Sequence, residues 1–405
     1  MAVTFINRSS LFSDEMIEDT FLGSATALGE LVTLGSPATQ GIRSIKYEFA
    51  LGNFVFYALD HIPVESRTLL ARAQRKLAEG DPSLITPLEV TAKRMLEDET
   101  SLKPTEDRIK VMHKSARWAI DYTISQLVNE GGKVVLPVPN WDFWDKLEGV
   151  GMGHYGFNYI SGVESNELVD GFKSVAGNKD VGALLLVSPS NPMGYHITED
   201  VCRELDAVAE KNGVKVIIDD LLRGNLPIGQ RESIAAYFSE PYVVEGFSHR
   251  FGDKPLGATS YILVPEGDKS IDIEVIKQPC ASHEMIKQVY DHASAKIVAE
   301  LSERNTLFDT NLRSIVPDIE IHRASISSIT GIITLPSNVS DSADLFSRIA
   351  NLNGLNIFPV SGIVPLEAET PDSVKKVLRF GVGAIKKENI AEGARYLGRG
   401  IKYGF

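Results

Sequence analysis

The sequence predicts an α/β protein: a three-layer α/β/α unit around a mostly parallel sheet, followed by a smaller α+β unit. Three observations carry this. Short β-branched runs alternate with longer helical patterns through the middle of the 405-residue chain, the pattern of βαβ units. Most of those runs are apolar throughout rather than at every second residue, as strands covered by helices on both faces must be. Towards the C-terminus the order changes to short strands with two helices, and no internal repeat or low-complexity tract is present.

Residues 1–45 are polar, rich in Gly, Ser and Thr, and without clean periodicity. They are expected to form an N-terminal arm or part of the smaller unit. Residues 46–300 are expected to form the large domain and 301–405 the small C-terminal one. Strands are predicted at Lys133–Pro137, Gly182–Val187, Val214–Asp219, Tyr242–Phe247 and Thr259–Val264, and helices at Ser115–Val128 and Thr198–Asn212. The second helix starts at a cap-like Thr198-Glu-Asp and stops before Gly213. Ser270–Leu307 reads as a long helix kinked at Pro279. After it come strands at Ile319–Arg323, Gly331–Leu335, Asn356–Val360 and Val377–Val382, with helices near Ser340–Asn353 and Lys387–Leu397.

Composition excludes several classes. Apolar residues are 43% and charged residues 23%, ordinary for a globular chain and unlike disorder or a fibre. The net charge of −13 disfavours nucleic acid or an anionic membrane as partner. Two distant cysteines, Cys202 and Cys280, exclude a disulfide framework and point to a reducing compartment. The first ten residues lack the basic and apolar regions of a signal peptide, and no apolar run is long enough to span a membrane, so a cytoplasmic location is expected.

Candidate chemistry sits at strand ends, where parallel sheets hold ligands. The run 182–187 leads into Ser188-Pro-Ser-Asn191-Pro-Met-Gly194; Asn191 either meets a ligand or supports its own turn. The next strand ends in Asp219-Asp220. A carboxylate there is costly unless something basic meets it: a protonated ring nitrogen, a metal or the following turn. The strand after that runs into Ser248-His249-Arg250, which can hold an anion and move a proton, or is simply a solvated loop. Gly151-Met-Gly-His-Tyr-Gly156 satisfies G-x-G-x-x-G, but the context is wrong for the dinucleotide fingerprint, and a plain glycine loop is expected.

Taken in order, these segments resemble those of the class I/II aminotransferases, fold type I pyridoxal-phosphate enzymes, from about Tyr47 to the end. Leu51-Gly52-Asn53 is similar to an early Leu-Gly-x-Pro segment, which implies Gly52 as a substrate contact. Residues 104–109 leading to Lys114-Ser115-Ala116-Arg117 resemble the strand and turn that hold the cofactor phosphate, a natural anion site at a helix start. Pro137-Val-Pro-Asn-Trp141 resembles the segment whose aromatic ring stacks on the pyridine. Asn191 matches the residue bonding the ring hydroxyl, Asp219 the acid facing the pyridinium nitrogen, and Arg379 the grip on the substrate carboxylate.

The match departs from the family at the reacting centre. The Schiff-base lysine aligns with His249, the expected tyrosine with Leu222, and a phosphate-contacting serine with Gly246. Lys254, five positions beyond His249, remains an alternative lysine if the loop is displaced. The resemblance therefore implies pyridoxal 5'-phosphate or pyridoxamine 5'-phosphate chemistry on an amino acid or keto acid without the lysine tether. Ring contacts would come from Trp141, Asn191 and Asp219. Arg117, Ser248 and Arg250 are candidates for the phosphate. His249 has a pKa suited to acid–base work near neutral pH. No metal is implied, and a homodimer is expected. Two alternatives stay open: a same-fold enzyme that acts on another small carboxylate without this cofactor, and a catalytically silent binding subunit.

Overall fold

A computed structural model describes residues 47–48, 86–112, 114–140, 150–156, 166–246, 259–273, 279–280, 283–353, 355–360, 372–383 and 385–403. After helix α1 (Leu88–Glu99) comes β1 (Ile109–Met112), then α2 (Ala116–Leu127) and β2 (Lys133–Val138). Next are β3 (Gly151–Gly156), α3 (Glu167–Ala176), β4 (Val181–Val187), α4 (Glu199–Asn212) and β5 (Lys215–Asp219). A 3-10 turn at Leu221–Asn225 leads on to β6 (Tyr242–Gly246) and β7 (Ser260–Leu263). These strands form one seven-stranded sheet in the order β1-β7-β6-β5-β4-β2-β3. Only β7 runs against the rest, pairing antiparallel with both β1 and β6.

Alternate residues of each strand enter different cores, as the two-residue period requires. In β5, Val216 and Ile218 pack on one side while Ile217 packs on the α2 side. Both sides are dry because helices cover them, which is why the runs are continuously apolar. The second layer system begins with α5 (His283–Arg313) and continues through β8 (Glu320–His322), β9 (Thr330–Thr334), α6 (Ser342–Asn353), β10 (Phe358–Pro359), β11 (Val377–Gly381) and α7 (Lys387–Tyr403). Its four strands pair antiparallel in the order β8-β9-β11-β10. Leu301, Phe308, Ile333, Phe380 and Leu397 build a separate apolar core against the helices.

Three expectations are corrected. The segment Gly151–Gly156 is strand β3, parallel to β2 in register from Lys133 to Val138, and not a loop. Gly153 lies so close to the neighbouring strand that a Cβ would come within 2.9 Å of Val135 Cγ1, the usual reason for a glycine in a strand. Because the glycines lie within a strand, they form no phosphate-binding turn. Pro279 does not kink a helix: Pro279–Cys280 pairs with Thr86–Pro87, and α5 starts at His283 and runs on to Arg313. Helix α7 continues past Leu397 to Tyr403, with buried Ile390, Ala394, Leu397 and Ile401 keeping one face apolar at helical spacing.

Candidate active site

The carboxyl ends of β4, β5 and β6 meet the start of α2, and the turn after β4 reaches β9 and β11, the central strands of the small sheet. Asp219, the last residue of β5, is opposite Val187 of β4 and Val244 of β6. The ladder continues past it: Ser188 N–H donates to Asp219 C=O and Asp220 N–H to Val244 C=O, both at 2.9 Å. The side chain points to the α2 side and is 8% exposed. Its Oδ1 accepts the Leu221 N–H at 3.1 Å. Burial pushes the Asp219 carboxyl up to about 7, and the neighbouring Asp220 and Glu245 carboxylates push the same way. The Leu221 hydrogen bond and Arg117 act in the opposite direction but do not overcome burial. Such an acid holds its proton near neutrality until a cation stabilises its charge.

The two adjacent aspartates, indistinguishable by residue type, separate by environment. Asp220 faces the other side of the sheet, where its Oδ2 pairs with Arg223 Nε at 2.8 Å. The same guanidinium reaches Glu245 Oε2 at 2.6 Å and Glu99 Oε2 at 2.9 Å, and Arg231 holds the other Glu99 oxygen at 2.8 Å. Tyr261 O–H also donates to Glu245.

The turn after β4 bridges the two sheets. Asn191 Oδ1 accepts from Arg379 Nε at 3.0 Å, and Arg379 is a buried residue of β11. A Cβ on Gly194 would come within 3.2 Å of the Thr330 carbonyl, so the same turn lies against β9. The peptide bonds Ser188–Pro189 and Asn191–Pro192 are cis. Behind Asn191, His196 Nδ1 sits 3.5 Å from Ser188 Oγ, and burial pulls the imidazole pKa down.

At the start of α2, Ser115 Oγ caps the helix by accepting Trp118 N–H at 3.2 Å. Ser260 Oγ donates to Lys114 C=O at 2.8 Å and ties this turn to β7. Ala116 is buried beneath it, and Arg117 in the first turn has Nε 3.4 Å from Asp121. A helix start concentrates partial positive charge and favours an anion. Gly246, at the end of β6, closes this corner. A Cβ there would meet Leu221 Cδ1 at 3.0 Å and Ala116 Cβ at 3.3 Å, so a serine at this position would crowd both neighbours.

The predicted residues Ser115, Ala116, Arg117, Asn191, Asp219 and Arg379 thus converge on one region between the sheets. Gly52, Trp141, Ser248, His249, Arg250 and Lys254 lie outside the described residues. Sequence reasoning did not select Arg223, Glu99, Arg231, Glu245 or His196. A signal existed for Glu245: a carboxylate inside the apolar run Tyr242–Gly246 has to find a cation.

Among solved structures, an archaeal alanine:glyoxylate aminotransferase matches with a TM-score of 0.66 at 17% identity, covering 99% of this chain and 98% of its own. Tyrosine aminotransferase from Leishmania infantum matches with a TM-score of 0.67 at 12% identity, covering 89% and 92%. The fold is that of the fold type I aminotransferases. Relatives by sequence match over part of the chain only. YugH of Bacillus subtilis, whose name assigns it provisionally to the aminotransferases, is 27% identical over 39% of this chain and 42% of its own length. The aspartate aminotransferase of Musicola paradisiaca is 25% identical over 42% and 43%. The chain therefore spans less than half the length of the curated relatives it matches. No family model matches. In this type I fold, Asp219, Asn191 and Arg379 occupy the strand ends and sheet junction described above. Among the described residues, no helix is long and apolar enough to cross a membrane, and no cluster of His, Cys, Asp or Glu is placed to hold a metal ion.

Proposed function

We propose that the chain is an aminotransferase-like enzyme acting on an amino acid or 2-keto acid through pyridoxal or pyridoxamine phosphate, without a lysine tether. The observation that carries this is Asp219. A carboxyl buried at a strand end, made more proton-hungry by flanking carboxylates, fits a basic ring nitrogen that must be kept protonated. The cofactor, when bound, supplies an electron sink for bond cleavage at the substrate α-carbon.

The chain's own residues divide the remaining work. Asp219 holds the proton at the ring nitrogen and gains a cationic partner for its charge. The start of α2, with Ser115, Ala116 and Arg117, receives the phosphate, helped by Ser248 and Arg250; Trp141 faces the ring. Arg379 grips the substrate carboxylate, and Asn191 orients it by accepting from Nε. Gly52 lines the substrate side. His249, where the family has lysine, moves the proton at the α-carbon. The fold's partial likeness to named aminotransferases supports this assignment. We further propose a cytoplasmic homodimer with the large unit at 46–300 and the small one at 301–405.

The test is uptake of pyridoxal phosphate by purified protein, followed by absorbance and by melting temperature. Uptake that needs Asp219 but leaves no lysine labelled after borohydride reduction is expected. A label on Lys254 would overturn the tether-free scheme, and a colourless protein with an unshifted melting temperature would remove the cofactor altogether.

A further inference from the structure

Three consecutive residues after Asp219 enter three different environments. Leu221 packs onto the α2-side core, Leu222 onto the core of the small sheet, and Arg223 into a buried ionic cluster on the opposite face of the large sheet. The cluster members Glu99, Asp220, Arg223, Arg231 and Glu245 have side chains no more than 3% exposed. Nε of Arg223 takes Asp220, Nη2 takes Glu245, and Nη1 takes Glu99 together with the Arg231 carbonyl at 2.9 Å. Arg231 is itself anchored by Nε on the Leu226 carbonyl at 2.6 Å.

The guanidinium therefore links the ends of β5 and β6 to the end of α1. Among the described residues, three carboxylates and two guanidiniums are gathered in this cluster beside Asp219. Asp220 follows Asp219 directly, and Glu245 is next in sequence to Val244, the register partner of Asp219. Ionised carboxylates this close compete for protons. Where the proton resides depends on which acid has a cation in hand.

We propose that Arg223 is a positioning residue for Asp219: by pairing with Asp220 and Glu245 it engages both as its counter-ions, so that of these three acids Asp219 is the one that holds an exchangeable proton. The proposal rests on Asp219 being the acid that meets the cofactor nitrogen. Among the described residues, the charged groups acting on Asp219 are Asp220, next to it in sequence, Glu245 from β6 and Arg117 from α2. Of these, Asp220 and Glu245 are under Arg223's control. The raised proton affinity of Asp219 agrees with this division of roles.

The test uses infrared difference spectroscopy of the cofactor-free protein across pH 5 to 9, reading the protonated carboxyl band. The wild type should show one band near neutrality, and Asp219→Asn should abolish it. In Arg223→Met a band should persist when Asp219→Asn is added, because the proton moves to Asp220 or Glu245; Arg223→Lys should restore the wild-type pattern. Should Arg223→Met not fold, Glu245→Gln keeps the side-chain shape and removes one repelling charge. It should lower the midpoint of the Asp219 band by about half a unit, a roughly threefold loss of proton affinity. An unchanged midpoint in Glu245→Gln, or a band in Arg223→Met that still disappears with Asp219→Asn, would overturn the proposal. Pyridoxal phosphate is then added to each variant. Failure of the wild type, assayed alongside, to bind it, with the infrared shifts intact, would sink the cofactor assignment and leave the role of Arg223 standing.

Discussion

Replacing Asp219 with Asn should make the cofactor-free protein more stable, and only towards high pH. The folded carboxyl titrates at about 7 against an ordinary 3.8. Below about pH 4 both folded and unfolded chains carry the proton and the residue contributes nothing. Between about pH 4 and 7 the folded chain keeps a proton that the unfolded chain has released, so stability falls as pH rises. Above 7 both states are ionised and the cost is fully present. The difference of about three units corresponds to roughly 4 kcal/mol. Because the group is 8% exposed, little of that is screened away. Asn keeps an oxygen for the Leu221 N–H and carries no charge to bury. Urea unfolding of both proteins should show the variant's advantage growing by about 2.5 kcal/mol between pH 5 and pH 8. Parallel pH profiles, or a variant less stable than wild type at pH 8, would refute the assignment of Asp219 as a buried proton-holding acid. With cofactor present the order should reverse, since the ring cation offsets the cost of the charge.

The other expectations concern single groups. Arg379→Ala should weaken stabilisation of the protein by amino or keto acids by about 2–5 kcal/mol; a ligand titration followed by melting temperature measures it, and unchanged affinity counts against the carboxylate grip. His249→Ala should slow proton transfer while leaving pyridoxal phosphate binding intact, so full turnover in single-turnover kinetics would remove His249 from the scheme. Ser115→Ala should cost about 1 kcal/mol through loss of the α2 cap, read from the urea midpoint; no change would mean that the cap bond contributes nothing in solution.

What the sequence settled by itself follows from short-range physics. Continuous apolar runs can only be strands covered on both faces, so Val181–Val187, Lys215–Asp219 and Tyr242–Gly246 were legible as the centre of a parallel sheet. Their carboxyl ends then marked Asn191 and Asp219 as candidates. Turn chemistry placed the start of α4 to within a residue, and the helical pattern did the same for α2. The strand at Gly151–Gly156 was illegible because glycine carries no local strand preference; only its approach to Val135 shows why small residues are needed there.

The roles of side chains needed the tertiary structure. Nothing local distinguishes Asp219 from Asp220: pleating turns one towards α2 and the other towards Arg223, and that alone leaves the first an acid and the second a counter-ion. Glu99 and Arg223 stand 124 positions apart and Asn191 and Arg379 188 apart. Such pairs form where folding brings distant strands and helices together. Burial strengthens every charge–charge term by withdrawing water, and burial is a property of the packed chain that no stretch of residues carries on its own.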